Sequence, residues 1–138
     1  MNSSDFTYAV SLRCFDTPMP PHKIEEALEL SADVLQEKGA HRHTAKGSVL
    51  NGKFTANYCV FRFGESHEEL ATFLKGVTRR LSAHVTLFRE IKTAGGRVEL
   101  FVGWYSDRNS GGEVFDSELL EAMGSLGIDL SLDIYAEK

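Results

Sequence analysis

V-E-L-F-V-G-W-Y at Val98 to Tyr105, then D-S-E-L-L-E-A-M-G-S-L-G at Asp116 to Gly127 and I-D-L-S-L-D-I-Y at Ile128 to Tyr135, decide the fold of this chain. The first stretch is almost wholly apolar, the pattern of a strand covered on both faces. The second starts with an aspartate placed to cap a helix and carries Leu119, Leu120, Met123 and Leu126 as its apolar stripe. Gly127 then supplies the left-handed residue that ends a helix, with Ile128 closing the apolar contact of that cap. The third stretch alternates strictly, which marks a strand with one buried face. The expected unit is an interior strand at 98–105, a loop, a helix and a final strand. Val98, Leu100, Val102, Ile128, Leu130, Leu132 and Ile134 should be buried against helices that carry Val77, Leu81 and Leu120.

Upstream, Phe6 to Phe15 reads as a strand with Phe6, Tyr8, Val10, Leu12 and Cys14 on one face. Thr17-Pro18-Met19-Pro20-Pro21 ends it, and proline in a helix's first turn places a helix start at Pro20 or Pro21, with Ile24, Ala27 and Leu28 inward. That helix ends near Leu30 or near Leu35. Gly39 to Gly52 is a loop or short edge strand, and Asn51-Gly52 has the composition of a hairpin turn leading into a strand at Phe54 to Phe63. A hairpin of Ser48 to Leu50 against that strand is one arrangement. Ser66-His67-Glu68-Glu69 has the form of a capping box. Leu70, Phe73, Leu74, Val77, Leu81, Val85, Phe88 and Ile91 follow at helical spacing, so one helix or a kinked pair reaches Thr93 before Gly95-Gly96. The order implies one α+β domain over 1–138, with a mixed or antiparallel sheet of roughly four to five strands and helices chiefly on one face. The ferredoxin-like β-α-β-β-α-β arrangement is its nearest relative.

Length and composition limit the function classes. At 138 residues, with 42% apolar and 25% charged residues, the chain is long enough for one core and has a globular composition. A net charge of −5 without a clustered basic face argues against nucleic acid. No apolar run approaches the about 18 residues of a membrane span, and the start has no basic region followed by an apolar run, so the expectation is a cytoplasmic protein with no membrane association. Cys14 and Cys59, in separate strands, read as reduced buried thiols.

His41-Arg42-His43 puts two imidazoles on one side of an extended segment, but Cys14, Cys59 and these histidines lack the spacing of a complete metal set. Neither a nucleophile elbow nor a phosphate loop nor a dinucleotide fingerprint occurs, and Ser106-Asp107 reads as turn chemistry. No catalytic residue, metal or cofactor is therefore assigned. The polar set with the composition of a recognition surface is Trp104, Tyr105, Asp107, Arg108 and Asn109, beside Asp129, Ser131 and Asp133 on the polar side of the last strand. Pairing of Asp129 and Asp133 with Arg13 or Arg62 across the sheet is the structural alternative.

The run F-V-G-W-Y-S-D-R-N-S-G-G at 101–112, with F-D-S-E-L-L-E-A-M-G-S-L-G at 115–127 and I-D-L-S-L-D-I-Y at 128–135, resembles the bacterial family catalogued as domain of unknown function 4279. The resemblance is densest in the last third and looser before it, through strand order and Ile24-Glu25-Glu26-Ala27-Leu28. The chain departs from the family pattern in reading Glu29-Leu30-Ser31 where a glycine usually follows the first helix. The resemblance implies a small cytoplasmic protein and no activity. The functional expectation is a non-catalytic protein-interaction or regulatory domain, with an immunity or antidote type as one form of it, binding a protein partner or a second copy through its open sheet face or the 104–109 loop. The alternative is a small-molecule-binding or enzymatic domain with that loop as a pocket wall.

Overall fold

Alternation in the first strand sorts its residues by face, and the rest of the sheet is built around it. The computed structural model describes residues 6–44, 46–64, 66, 68–106 and 112–136. Strand β1 (Phe6–Phe15) is the centre of a five-stranded sheet and is followed by helix α1 (Pro21–Leu28) and short strand β2 (Val34–Gln36). Strands β3 (His41–His43) and β4 (Val49–Lys53) form a separate two-stranded sheet, and β5 (Tyr58–Gly64) returns to the main one. Helices α2 (Leu70–Leu81) and α3 (Val85–Thr93), joined by a 3₁₀ turn at Ser82–His84, lead to β6 (Arg97–Ser106). Helix α4 (Ser117–Ser125) then connects β6 to β7 (Ile128–Ala136).

The strand order is β2-β5-β1-β6-β7. Strand β1 is antiparallel to both neighbours, β2 is antiparallel to β5, and β7 is parallel to β6, as a crossover through a helix requires. The sheet is mixed and the fold is α+β. Strand β6 is interior as expected, and Val98, Leu100, Val102 and Ile128 are buried with Leu12, Ile24, Leu74, Phe88 and Leu119 in one core between the sheet and the helices.

Several local expectations are corrected. Helix α1 stops at Leu28, because Glu29 turns the chain into the left-handed region at φ 55°, and residues 34–36 form a strand instead of more helix. Ala27 is exposed. The Ser66 hydroxyl accepts the Glu68 N–H at 3.1 Å, a local turn, and α2 starts later, with Glu69 as an N-cap that makes no side-chain cap bond. Asn51-Gly52 is not a hairpin turn: it lies within β4, where Gly52 takes φ 87° at a register irregularity opposite β3. Strand β4 pairs with β3 and not with β5. Strand β5 begins at Tyr58 because Asn57 is drawn aside, its side-chain amide donating to Thr17 O at 2.8 Å and its Oδ1 accepting Lys38 N–H at 2.7 Å. Leu120 is half exposed on α4. On edge strand β7 burial fades along the chain, from Ile128 to a half-buried Leu130 and then to Leu132 and Ile134 at 39% and 59% exposure. The alternation of β7 is regular, but the helices cover only its first half.

The expected cap of α4 is present. Asp116 Oδ1 accepts the Leu119 N–H at 2.9 Å and Oδ2 holds Lys75 Nζ of α2 at 2.6 Å. That lysine, then the Leu119 N–H, pulls the Asp116 carboxyl below its ordinary range.

Candidate functional site

The odd-numbered residues of β1 and β6 point away from the helices, so the sheet has one face bare of helical cover among the described residues. The register places Ser11, Arg13 and Phe15 of β1 beside Phe101, Glu99 and Arg97 of β6, and beside Arg62, Val60 and Tyr58 of β5. Asp129, Ser131, Asp133 and Tyr135 of β7 continue this face next to Glu99, Phe101, Gly103 and Tyr105. The near-continuous apolarity of 98–105 thus has two sources. Its even-numbered residues enter the core, and Phe101 and Tyr105 pave the bare face in place of a second helical layer, which corrects the expectation of cover on both sides.

Charge on this face is organised by stacking as much as by pairing. Glu99, 6% exposed, is held by Arg97 Nη1 at 2.6 Å, and the Arg97 guanidinium lies 4.0 Å from the centroid of Phe15. Arg13 has Glu99 as its cross-strand neighbour, yet it turns onto the Phe101 ring at 3.6 Å. Guanidinium over an aromatic face is favourable, by about 0.5–1 kcal/mol at accessible sites. Arg13 Nε is buried there without a hydrogen-bond partner among the described residues. Phe15 in turn packs on Tyr58 at 5.0 Å. Burial raises the Tyr58 hydroxyl above its ordinary pKa, and Arg13 opposes part of that rise.

At the other end, Tyr105 and Tyr135 stack with centroids 5.0 Å apart and planes 12° from parallel. The Tyr135 hydroxyl donates to Asp133 Oδ2 at 2.6 Å, which keeps the phenol protonated above its ordinary range. Tyr105 also folds back over Gly103: a Cβ on that glycine would lie 3.2 Å from the Tyr105 hydroxyl oxygen. Between these groups Ala9, Ser11 and Gly103 form the floor of a hollow of about 330 Å³, with Arg13, Arg62, Phe101 and Tyr105 as its rim. A second depression of about 410 Å³ lies between α2 and α4, where Lys75, Thr78, Arg79 and Leu119 meet.

The residues singled out from sequence separate accordingly. Trp104 is 7% exposed on the helical side of the sheet, with Phe115 at 6.5 Å, whereas its neighbour Tyr105 is half exposed on the bare face. The two do not line one pocket. Asp107, Arg108 and Asn109 lie outside the described residues. Asp129, Ser131 and Asp133 share the bare face as expected, but ion pairs of Asp129 or Asp133 with Arg13 or Arg62 are absent among the described residues. Of the residues that define the hollow, Arg13 and Arg62 were expected only as ion-pair partners for Asp129 and Asp133, and Phe101 was not singled out. Their signal was present: a charged residue in mid-strand, out of phase with core positions such as Leu12 and Phe61, marks the face that no helix covers.

His41 and His43 are exposed on β3, with His43 edge-on to Phe54 at 6.1 Å. Cys14 and Cys59 are fully buried in the main sheet, so these four residues do not converge. Among the described residues no three His, Cys, Asp or Glu side chains form a metal-sized group. The two cysteines are direct cross-strand partners, both free, and a hydrogen bond to Cys59 together with burial pushes the Cys14 thiol well above its ordinary value. No helix among the described residues is long and apolar enough to cross a membrane.

Fold and face together define an α+β domain with a one-sided sheet whose open side carries aromatic rings and arginines. The chain belongs to the family described as domain of unknown function (DUF4279), whose model matches residues 6–137, so the likeness runs well beyond the last third. Neither a curated protein nor a solved structure matches the chain.

Proposed function

We propose that this protein is a non-catalytic interaction domain that engages a protein partner through the bare sheet face. The carrying observation is the composition of that face, where Arg13, Arg62 and Arg97 stand among Phe15, Tyr58, Phe101, Tyr105 and Tyr135. Aromatic and arginine side chains are the groups that supply most of the binding energy in protein contacts, and stacked rings lose little conformational freedom on binding. The centre of the face is cationic in a chain of net charge −5, so the patch it meets is acidic or aromatic. The immunity or antidote form of this reading draws its support from the overall negative charge alone.

A different protein suits the edge better than a second copy paired about Ser131. Antiparallel self-pairing of β7 about Ser131 would set Asp129 against Asp133 on each side of the axis, and like charges directly opposite are destabilising. The loop-walled small-molecule alternative loses support from the opposite orientations of Trp104 and Tyr105.

Affinity capture from the native host tests the reading, with wild type, a Tyr105→Ala, Tyr135→Ala double variant and a Glu90→Ala, Glu121→Ala control as baits. A discrete partner retained by wild type and control and lost from the tyrosine variant is expected. Equal recovery by all three baits would refute it.

A further inference from the structure

We propose that the hollow floored by Ala9, Ser11 and Gly103 is a binding site for a small organic anion: a carboxylate or phosphate group carried on a flat apolar body. Two arginines, Arg13 and Arg62, line this hollow, and no aspartate or glutamate among the described residues lines it. Of the carboxylates nearby on this face, Glu99 is taken by Arg97 at 2.6 Å, and Asp133, beside Gly103, accepts the Tyr135 hydroxyl at 2.6 Å. Neither Arg13 nor Arg62 forms an ion pair among the described residues. Two like charges gathered at one concavity repel each other, and an anion in the hollow offsets that repulsion.

The geometry is already set for such a ligand. Arg13 Cζ sits over the Phe101 ring at 3.6 Å, so the guanidinium is held against that ring before anything binds. A guanidinium fixed by stacking presents its in-plane donors as a fork, which matches carboxylate and phosphate oxygens. The small floor residues leave depth, and Phe101 and Tyr105 offer ring surface to an apolar body. Tyr105 is braced by its stack on Tyr135. At about 330 Å³ the hollow lies at the lower end of ligand-pocket volumes, which run from roughly 300 to 1,000 Å³, and this size selects a compact ligand.

This goes beyond the reading of the face as a partner surface and does not rest on it, since a free anion needs no partner to bind. The test is titration of the ¹⁵N-labelled protein with benzoate, phenyl phosphate, benzyl alcohol and inorganic phosphate, followed by amide chemical shifts. Saturable shifts centred on Ala9, Ser11, Arg62 and Gly103 are expected with benzoate or phenyl phosphate, and the tighter of the two identifies the acid group. Arg62→Gln, at an exposed position that preserves the fold, should weaken binding by about tenfold or more. Arg13→Gln should do the same, with an otherwise unchanged spectrum confirming its fold. Benzyl alcohol should give no saturable shift, and inorganic phosphate should bind more weakly than phenyl phosphate. The proposal is overturned if neither aromatic anion saturates at millimolar concentration, if Arg62→Gln binds as wild type does, or if either control ligand matches the aromatic anions. Such a result leaves the capture experiment and its reading untouched.

Discussion

Replacing Gly96 by alanine should destabilise the fold, because the turn from α3 into β6 presses this residue against the end of β1. A Cβ built on Gly96 would stand 2.7 Å from Phe15 O, 2.8 Å from Asp16 O and 2.8 Å from Ile91 Cγ2. All three are closer than packed atoms approach, and two are backbone oxygens that cannot rotate away. Phe15 is fixed by its register with Arg97 and Tyr58, Asp16 by its N–H bond to Asn57 O at 2.9 Å, and Gly96 itself by its N–H bond to Ile91 O at 2.8 Å. Relief therefore requires the α3–β6 turn to move off β1. Overpacking of this kind costs about 1–3 kcal/mol, and the rigid neighbours place Gly96→Ala in the upper half of that range, near 2 kcal/mol. For a domain of this size the thermal midpoint should fall by about 6–8 °C. Urea unfolding followed by fluorescence of Trp104, the single tryptophan and a buried one, reads the change directly. A midpoint equal to or above wild type would refute the argument.

The same steric reasoning predicts the opposite sign for Gly76→Ala and Gly124→Ala. Both glycines sit within helices with open space where a Cβ would stand, so each change should stabilise by about 0.5–1 kcal/mol in the same unfolding assay. Glu29→Gly should also stabilise, by about 1 kcal/mol, because Glu29 ends α1 in the left-handed region at φ 55°. Above pH 9 stability should fall. The folded values of Cys14, Tyr8 and Tyr58 are raised above the ordinary 9.0 and 10.0, so the unfolded chain ionises first, and stability that is whole below those values is lost as pH rises through the folded ones. Urea midpoints measured from pH 8 to pH 11 check this, and Cys14→Ala should flatten the first part of the decline.

Elements with a long periodic signal were legible in the residues: β1 by alternation, the α2–α3 pair by spacings of three and four, α4 by its aspartate cap and terminal glycine, and β6 by its apolarity. Strands β2 and β3, each of three residues, are too short to carry a period, and they exist through pairing with β5 and β4. Local signatures misled where other hydrogen bonds compete. Ser66 closes a turn onto Glu68 instead of capping a helix, and Asn57 interrupts what reads as one strand from Phe54. The exposure of Leu132 and Ile134 follows from where the helices end over β7, which the alternation of β7 does not record. The candidate face was legible only in part, as Tyr105, Asp129, Ser131 and Asp133. The meeting of Arg13, Arg62 and Phe101 depends on β1 lying between β5 and β6, and strand order is a property of the whole sheet.

The central claim is that the helix-free side of the sheet is the working surface. Site-specific photocrosslinking in the native host tests it most directly, with a photoreactive residue placed at Arg62 or Tyr135 on that side and at Glu90 or Glu121 on the helical side. The account predicts a discrete protein adduct from Arg62 and Tyr135 and none from Glu90 and Glu121. A discrete adduct from the helical positions, with none from the sheet face, would contradict it.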